Sequence, residues 1–252
     1  MKVYFVGAGP GDPELLTLKA HRLLKKCECC IWAGSLVNPE LLELLPKNAE
    51  VHDSAGMSLD EIISVIKNAW ERNLSIVRLH TGDPSIFGAI AEQMIRLDAL
   101  DIPYDVVPGV SSFQAAAAAL NAELTMPEVS QTIILSRVAG RTPVPETQEL
   151  ENLAATRATL CLFLSMGDLA KTCVRLSAFY GVDCPAAVIY KASWPEQKII
   201  RSSLKNLAQK ASEQGITKTA MVVVGPSLAP SVDYVSKLYD RSFSHGYRKG
   251  KA

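Results

Sequence analysis

The sequence predicts an α/β protein made of two α/β domains, and three observations carry that prediction. Short, unbroken apolar runs alternate with stretches of helical periodicity, which is how strands buried on both faces of a mainly parallel sheet read in sequence. Several of those runs lead straight into Gly, Pro or Ser, as strand ends do. The stretch Asn121–Val129, interrupted by Pro127, then separates a first series of such runs from a second. Domains are therefore expected over residues 1–120 and 121–252.

In the first series Val3–Val6, Cys29–Trp32, Ser75–Leu79 and Tyr104–Val107 read as strands whose ends carry function. Leu59, Ile62, Ile63, Ile66 and Ala69 fall at i, i+3, i+4, i+7 and i+10, one face of an amphipathic helix that Ser58 caps. The second series gives strands at Thr132–Leu135, Leu160–Leu164, Ala187–Tyr190, Lys198–Arg201 and Met221–Val224. Helices are expected at Pro145–Ala155, Leu169–Tyr180 and Leu204–Gln214, followed by a loosely held polar tail over Tyr239–Ala252.

Composition removes whole classes. Lys plus Arg and Asp plus Glu each number 26, so the net charge is zero, and no basic block reads as a nucleic-acid footprint. No apolar run reaches the roughly 18 residues a bilayer span needs, and the N-terminus carries no signal-like apolar region, so a cytoplasmic protein without membrane partners is expected. Three of the six cysteines crowd into Cys27-Glu28-Cys29-Cys30, a spacing that suits neither a disulfide framework nor paired zinc ligands, so no metal site is assigned.

Chemistry concentrates in loops. Gly7-Ala8-Gly9-Pro10-Gly11-Asp12 stands where a dinucleotide fingerprint would, between a strand and a helix. Asp12 occupies the third glycine position and opposes a pyrophosphate, Pro10 removes a backbone donor, and no P-loop lysine follows. Nicotinamide and ATP readings weaken, while a tight turn without a ligand stays open. His80-Thr81-Gly82-Asp83-Pro84 and Pro108-Gly109-Val110-Ser111-Ser112 repeat the design, so that three loops at strand ends define one crevice. A non-catalytic module would not need three ligand-shaped loops.

These residues, with Leu15-Leu16-Thr17-Leu18-Lys19-Ala20 and Leu124-Thr125-Met126-Pro127, resemble the tetrapyrrole methylases, the class III S-adenosylmethionine methyltransferases, over nearly the whole chain. Trp32-Ala33-Gly34-Ser35-Leu36-Val37, His80-Thr81, Tyr190-Lys191-Ala192-Ser193-Trp194-Pro195-Glu196-Gln197-Lys198 and Ser244-His245-Gly246-Tyr247-Arg248 are similar to the branch that methylates corrin precursors. Cys27-Glu28 and Trp32 depart from the usual pattern, away from the presumed cofactor loops.

The resemblance implies two α/β domains with a cofactor cleft between them, a homodimer, S-adenosyl-L-methionine as methyl donor and a tetrapyrrole as acceptor. Carried over by position, cofactor contacts are expected at Pro10, Thr81, Gly82, Asp83, Ile86, Ser111, Ser112, Met166, Ala192 and Ala220. Met166 and Ala220 would otherwise read as core. A substrate edged with carboxylates asks for arginine, and Arg137 and Arg141 are the candidates, with ordinary solvated charge as the rival reading. His80 is the one histidine beside a functional loop and the candidate for a proton-transfer or positioning role.

Overall fold

The structure, a computed structural model, describes residues 2–140, 142–229, 236 and 239–250. It divides into two compact units, one of residues 1–115 with Lys191–Gln197 and one of residues 116–190 with 198–252. Ala192, expected in the C-terminal domain, therefore sits in the first unit.

The first unit holds a five-stranded sheet of β1 (Val3–Gly7), β2 (Cys29–Trp32), β3 (Glu50–Asp53), β4 (Ile76–His80) and β5 (Tyr104–Val107) in the order β3-β2-β4-β1-β5. Every pair is parallel, so all strands point their carboxyl ends, and the loops that follow, to one edge. Both faces are covered, as the unbroken apolar runs require. Val3, Phe5, Ile31 and Ile76 pack with α2 (Leu59–Glu71) and α3 (Ala91–Asp98). Val6, Cys30, Val77 and Leu79 pack on the opposite face with α1 (Leu18–Leu24). Ser58 caps α2 in a full capping box, accepting from Glu61 N while the Glu61 carboxylate accepts from Ser58 N. β3 has an alternating, half-exposed pattern and joins only β2, which is why its polar run Glu-Val-His-Asp does not read as a strand.

The second unit corrects the expectation of a mainly parallel sheet. Its strands β6 (Ile133–Arg137), β7 (Thr159–Phe163), β8 (Pro185–Tyr190), β9 (Lys198–Ser203) and β10 (Ala220–Val224) run in the order β6-β7-β10-β8-β9. Only β6 with β7 is parallel, and the other three pairings are antiparallel. The central strands are buried on both faces, so their apolar runs look like parallel strands while their direction is set by connections that composition does not reveal. Leu160, Leu162, Val188, Val222 and Val224 form one core with α5 (Leu150–Ala154), α6 (Leu169–Tyr180) and α7 (Leu204–Glu213). The expected helix over Pro145–Ala155 is a 3-10 turn at Glu146–Gln148 followed by the short α5. Among the described residues no helix is long and apolar enough to cross a membrane.

Candidate cofactor and substrate site

The carboxyl ends of β1, β4 and β5 bring the glycines of three loops into backbone contact. Gly9 N donates to Gly82 O (3.3 Å) and Gly82 N to Gly9 O (2.8 Å). A Cβ on Gly7 would lie 2.5 Å from Gly82 O, and one on Gly109 would lie 2.2 Å from the same oxygen. Side chains are sterically barred at both positions, so the three loops can meet only as glycine backbone. Gly82 differs. Its φ of +60° asks for glycine, while an added Cβ would meet Ser111, Ser112 and Val110 only at ordinary contact distances of 3.6–3.9 Å, so at this buried position the backbone conformation rather than space selects the residue.

Asp83 builds this junction with its carboxylate. Oδ2 accepts from Gly109 N (3.0 Å), while Oδ1 accepts from Ser85 N (2.8 Å) and from the Ser85 hydroxyl. Both oxygens therefore tie the second loop to itself and to the third. Ser111 is buried, with Gln114 Oε1 accepting from its N–H, and Thr81, Ile86 and Ser112 stay partly exposed around the same junction. The segment after Asp83 is strained, with Phe87 and Ala89 at φ of 54° and 50°, a conformation that costs non-glycine residues roughly 1–2 kcal/mol each.

The glycine-rich first loop is not a phosphate cradle. Ala8 N donates to His80 O, Gly9 N to Gly82 O and Asp12 N to the Ser193 hydroxyl, and Pro10 has no donor. A pyrophosphate needs several unengaged N–H groups aimed at it, and the amides of Ala8, Gly9 and Asp12 are committed to partners outside the loop. The nicotinamide alternative loses its anchor.

His80 is 5% exposed, and its Nε2 is buried without a hydrogen-bond partner. Burial, with the nearby Arg78 charge adding, lowers its pKa to about 3. The ring is neutral at physiological pH and lies against Phe5, 6.0 Å between centroids, so packing holds it. Arg78, which the sequence reading passed over, is 5% exposed, and burial brings its guanidinium down to about 10. Its hydrogen bonds go to the Gln93 amide oxygen and the Ile31 carbonyl. Arg and His inside an otherwise apolar strand were a visible signal of a polar interior beneath the second loop.

The remaining candidates are spread out. Pro10 is buried, and its carbonyl accepts from Trp194 Nε1. Ala192 is 7% exposed in the first unit. In the second unit Met166 is 9% exposed within the core and Ala220 packs partly buried against it. Arg137 donates to the carbonyls of Thr142 (3.1 Å) and Pro143 (2.6 Å), so part of its fork braces its own loop. Arg141 lies outside the described residues.

Away from these loops, the Cys29, Glu50 and His52 ligand atoms lie within 4.8 Å of one another, a grouping that could hold a metal ion. Glu50 already accepts from Arg72 through both oxygens, and burial, with the charges of Cys27 and Glu50 adding, pushes the Cys29 thiol up to about 12. The carboxylate is committed and the thiolate costly to form.

Comparison with known proteins identifies the family. Residues 2–208 match the family Tetrapyrrole (Corrin/Porphyrin) Methylases. The cobalt-precorrin-4 C(11)-methyltransferase of Methanocaldococcus jannaschii is 49% identical over 249 residues, 98% of this chain and 96% of that one. The precorrin-4 C(11)-methyltransferase of Pseudomonas aeruginosa is 45% identical, with 100% of both chains covered. The X-ray structure of a cobalt precorrin-4 methyltransferase aligns with a TM-score of 0.88 at 43% identity, over 91% of this chain and 96% of that one. A uroporphyrin-III C-methyl transferase from Thermus thermophilus, solved with S-adenosyl homocysteine, aligns with a TM-score of 0.74 at 28% identity, over 91% and 94%. With its three glycine loops joined at the sheet edge and this similarity running nearly end to end, the chain belongs to the tetrapyrrole methylase family.

Proposed function

We propose that this protein transfers a methyl group from S-adenosyl-L-methionine to C11 of precorrin-4 or of its cobalt complex, a step of corrin biosynthesis. The observation that carries the reading is the 45–49% identity, over nearly the full length, to proteins named for that reaction. Homodimerisation and a cytoplasmic location belong to the same reading.

The residues of the first unit suit the donor. Its adenosine hydroxyls and amino-acid group call for hydroxyls and backbone polar groups, which Thr81, Gly82 and Ser112 supply in this reading, while Ile86 offers apolar contact. Asp83 contributes through its two loop-building oxygens. Pro10, Ser111, Met166, Ala192 and Ala220 enter as cofactor contacts on the resemblance.

The sulfonium supplies an activated methyl, so attack by a nucleophilic ring carbon is an in-line displacement that needs no side-chain nucleophile. What the chain must do is hold the reacting groups roughly 3–3.5 Å apart and keep water out. Loops locked glycine to glycine at Gly7, Gly82 and Gly109 give that rigidity. A neutral, buried His80 acts here by positioning the second loop, whose strand end it occupies. Arg137, with Arg141, is proposed to pair with substrate carboxylates.

Calorimetric titration with S-adenosylhomocysteine, with NADH and ATP as controls, tests the cofactor. Micromolar binding of S-adenosylhomocysteine alone is expected, and a clear NADH signal in its place would refute the reading. Incubation with labelled donor and precorrin-4 should then place one methyl at C11 by NMR. Label on uroporphyrinogen instead would move the assignment to another member of the family.

A further inference from the structure

We propose that Lys191–Gln197 is a clamp that holds the glycine loop after β1 in one conformation, with Trp194 as its positioning residue. The inference rests on the reading of that loop as part of the cofactor site and deepens it.

Three successive loop residues have backbone groups satisfied by distant side chains. Pro10 O accepts from Trp194 Nε1 at 2.8 Å, across 184 positions of sequence. Gly11 O accepts from Asn38 Nδ2 at 2.8 Å, and Asn38 is 5% exposed. Asp12 N donates to the Ser193 hydroxyl at 3.0 Å. Two of the three partners come from the clamp.

The ring also explains a glycine. A Cβ on Gly11 would lie 2.0 Å from Trp194 Cδ1 and 2.1 Å from Nε1, so the indole seats directly on the Gly11 backbone. In a dinucleotide fingerprint glycines make room for a pyrophosphate. Here Gly11 makes room for an indole. Tryptophan suits the task because it combines a flat apolar face with a single donor that needs a partner once buried.

The clamp holds itself in shape. Lys191 and Ser193 take φ of 45° and 70°, and the strain is offset by local bonds. Trp194 N donates to Lys191 O, Gln197 N to Trp194 O and Ser193 N to Gln197 Oε1. The Lys191 ammonium lies 4.9 Å from the indole centroid and pairs with Glu196 at 3.1 Å. A preformed clamp spares the cofactor the cost of ordering the loop, so its loss falls on cofactor affinity.

The test is the Kd for S-adenosylhomocysteine in Trp194→Phe, Trp194→Ala and Gly11→Ala, with Trp70→Phe on α2 as control. Trp194→Phe keeps an aromatic ring but loses the donor and the five-membered half of the indole, and about tenfold weaker binding is expected, with a larger loss in the other two and none in the control. In steady state the KM for S-adenosylmethionine should rise while kcat at saturation stays within about twofold of wild type. A purely structural role would lower the melting temperature and leave Kd and KM of the folded fraction unchanged. Folded Trp194→Phe and Trp194→Ala with wild-type Kd would overturn the clamp. If the wild-type protein itself does not bind S-adenosylhomocysteine, the cofactor reading fails separately, and hydrogen exchange decides the clamp. Loss of protection at the Asp12 amide in Trp194→Ala supports it, and retained protection overturns it.

Discussion

Removing the His80 imidazole should flatten the acid side of the stability profile. The ring has a pKa of about 3 in the folded chain because burial opposes its charge and Arg78 adds to the opposition, against an ordinary value of 6.5 when unfolded. Above pH 6.5 the ring is neutral in both states and contributes no pH dependence. As the pH falls below 6.5 the unfolded chain takes up a proton that the folded chain refuses, so stability is lost progressively toward pH 3. One proton corresponds to about 1.4 kcal/mol per pH unit, so between pH 6.5 and pH 5 the loss amounts to about 2 kcal/mol, above the range where most carboxylates titrate. His80→Gln has no titration of its own and should lack this component, whatever its absolute stability. Urea unfolding followed by tryptophan fluorescence is the suitable assay, because Trp32, Trp70 and Trp194 all lie in the unit that contains His80. Parallel profiles for wild type and variant from pH 7.5 to pH 5 would refute the reasoning.

Three further outcomes are expected. Gly109→Ala forces a Cβ to 2.2 Å from the Gly82 carbonyl and 2.8 Å from Gly7 Cα; a loss of at least about 1–3 kcal/mol should appear in thermal melts, together with loss of S-adenosylhomocysteine binding. Ser58→Ala removes the α2 capping box; about 1 kcal/mol, seen as roughly 2–4 °C in Tm, should be lost with cofactor affinity unchanged. Arg137→Ala should raise the KM for the tetrapyrrole about tenfold and leave the S-adenosylhomocysteine Kd as it is; no change in either would leave Arg137 only its bonds to Thr142 and Pro143.

Legibility in the sequence followed the range of the interactions. Cys29–Trp32, Tyr104–Val107 and Leu169–Tyr180 were readable to the residue, because apolar runs and helical spacing are local consequences of burial. The loops that meet at Gly82 were readable as a set of strand ends. The edge strand Glu50–Asp53 was not, since one neighbour and half-exposed positions leave no apolar signature. The antiparallel direction of β8 and β10 was hidden for the opposite reason, burial so complete that strand direction leaves no alternation. Trp194 stood within a quoted motif, yet nothing near it in sequence indicates that its partner is Pro10. Asp83 was readable as functional, although both its oxygens turn out to be engaged in building the loops.

The passage of Lys191–Gln197 into the first unit bears on the order in which the chain can assemble during synthesis. Residues 1–115 contain the whole parallel sheet, so strand pairing can begin early. The carbonyl of Pro10 and the amide of Asp12, however, must wait for side chains that emerge from the ribosome more than 180 residues later. Until then the segment built first is the one left unfinished, and the loop closed last is the one on which the proposed chemistry depends.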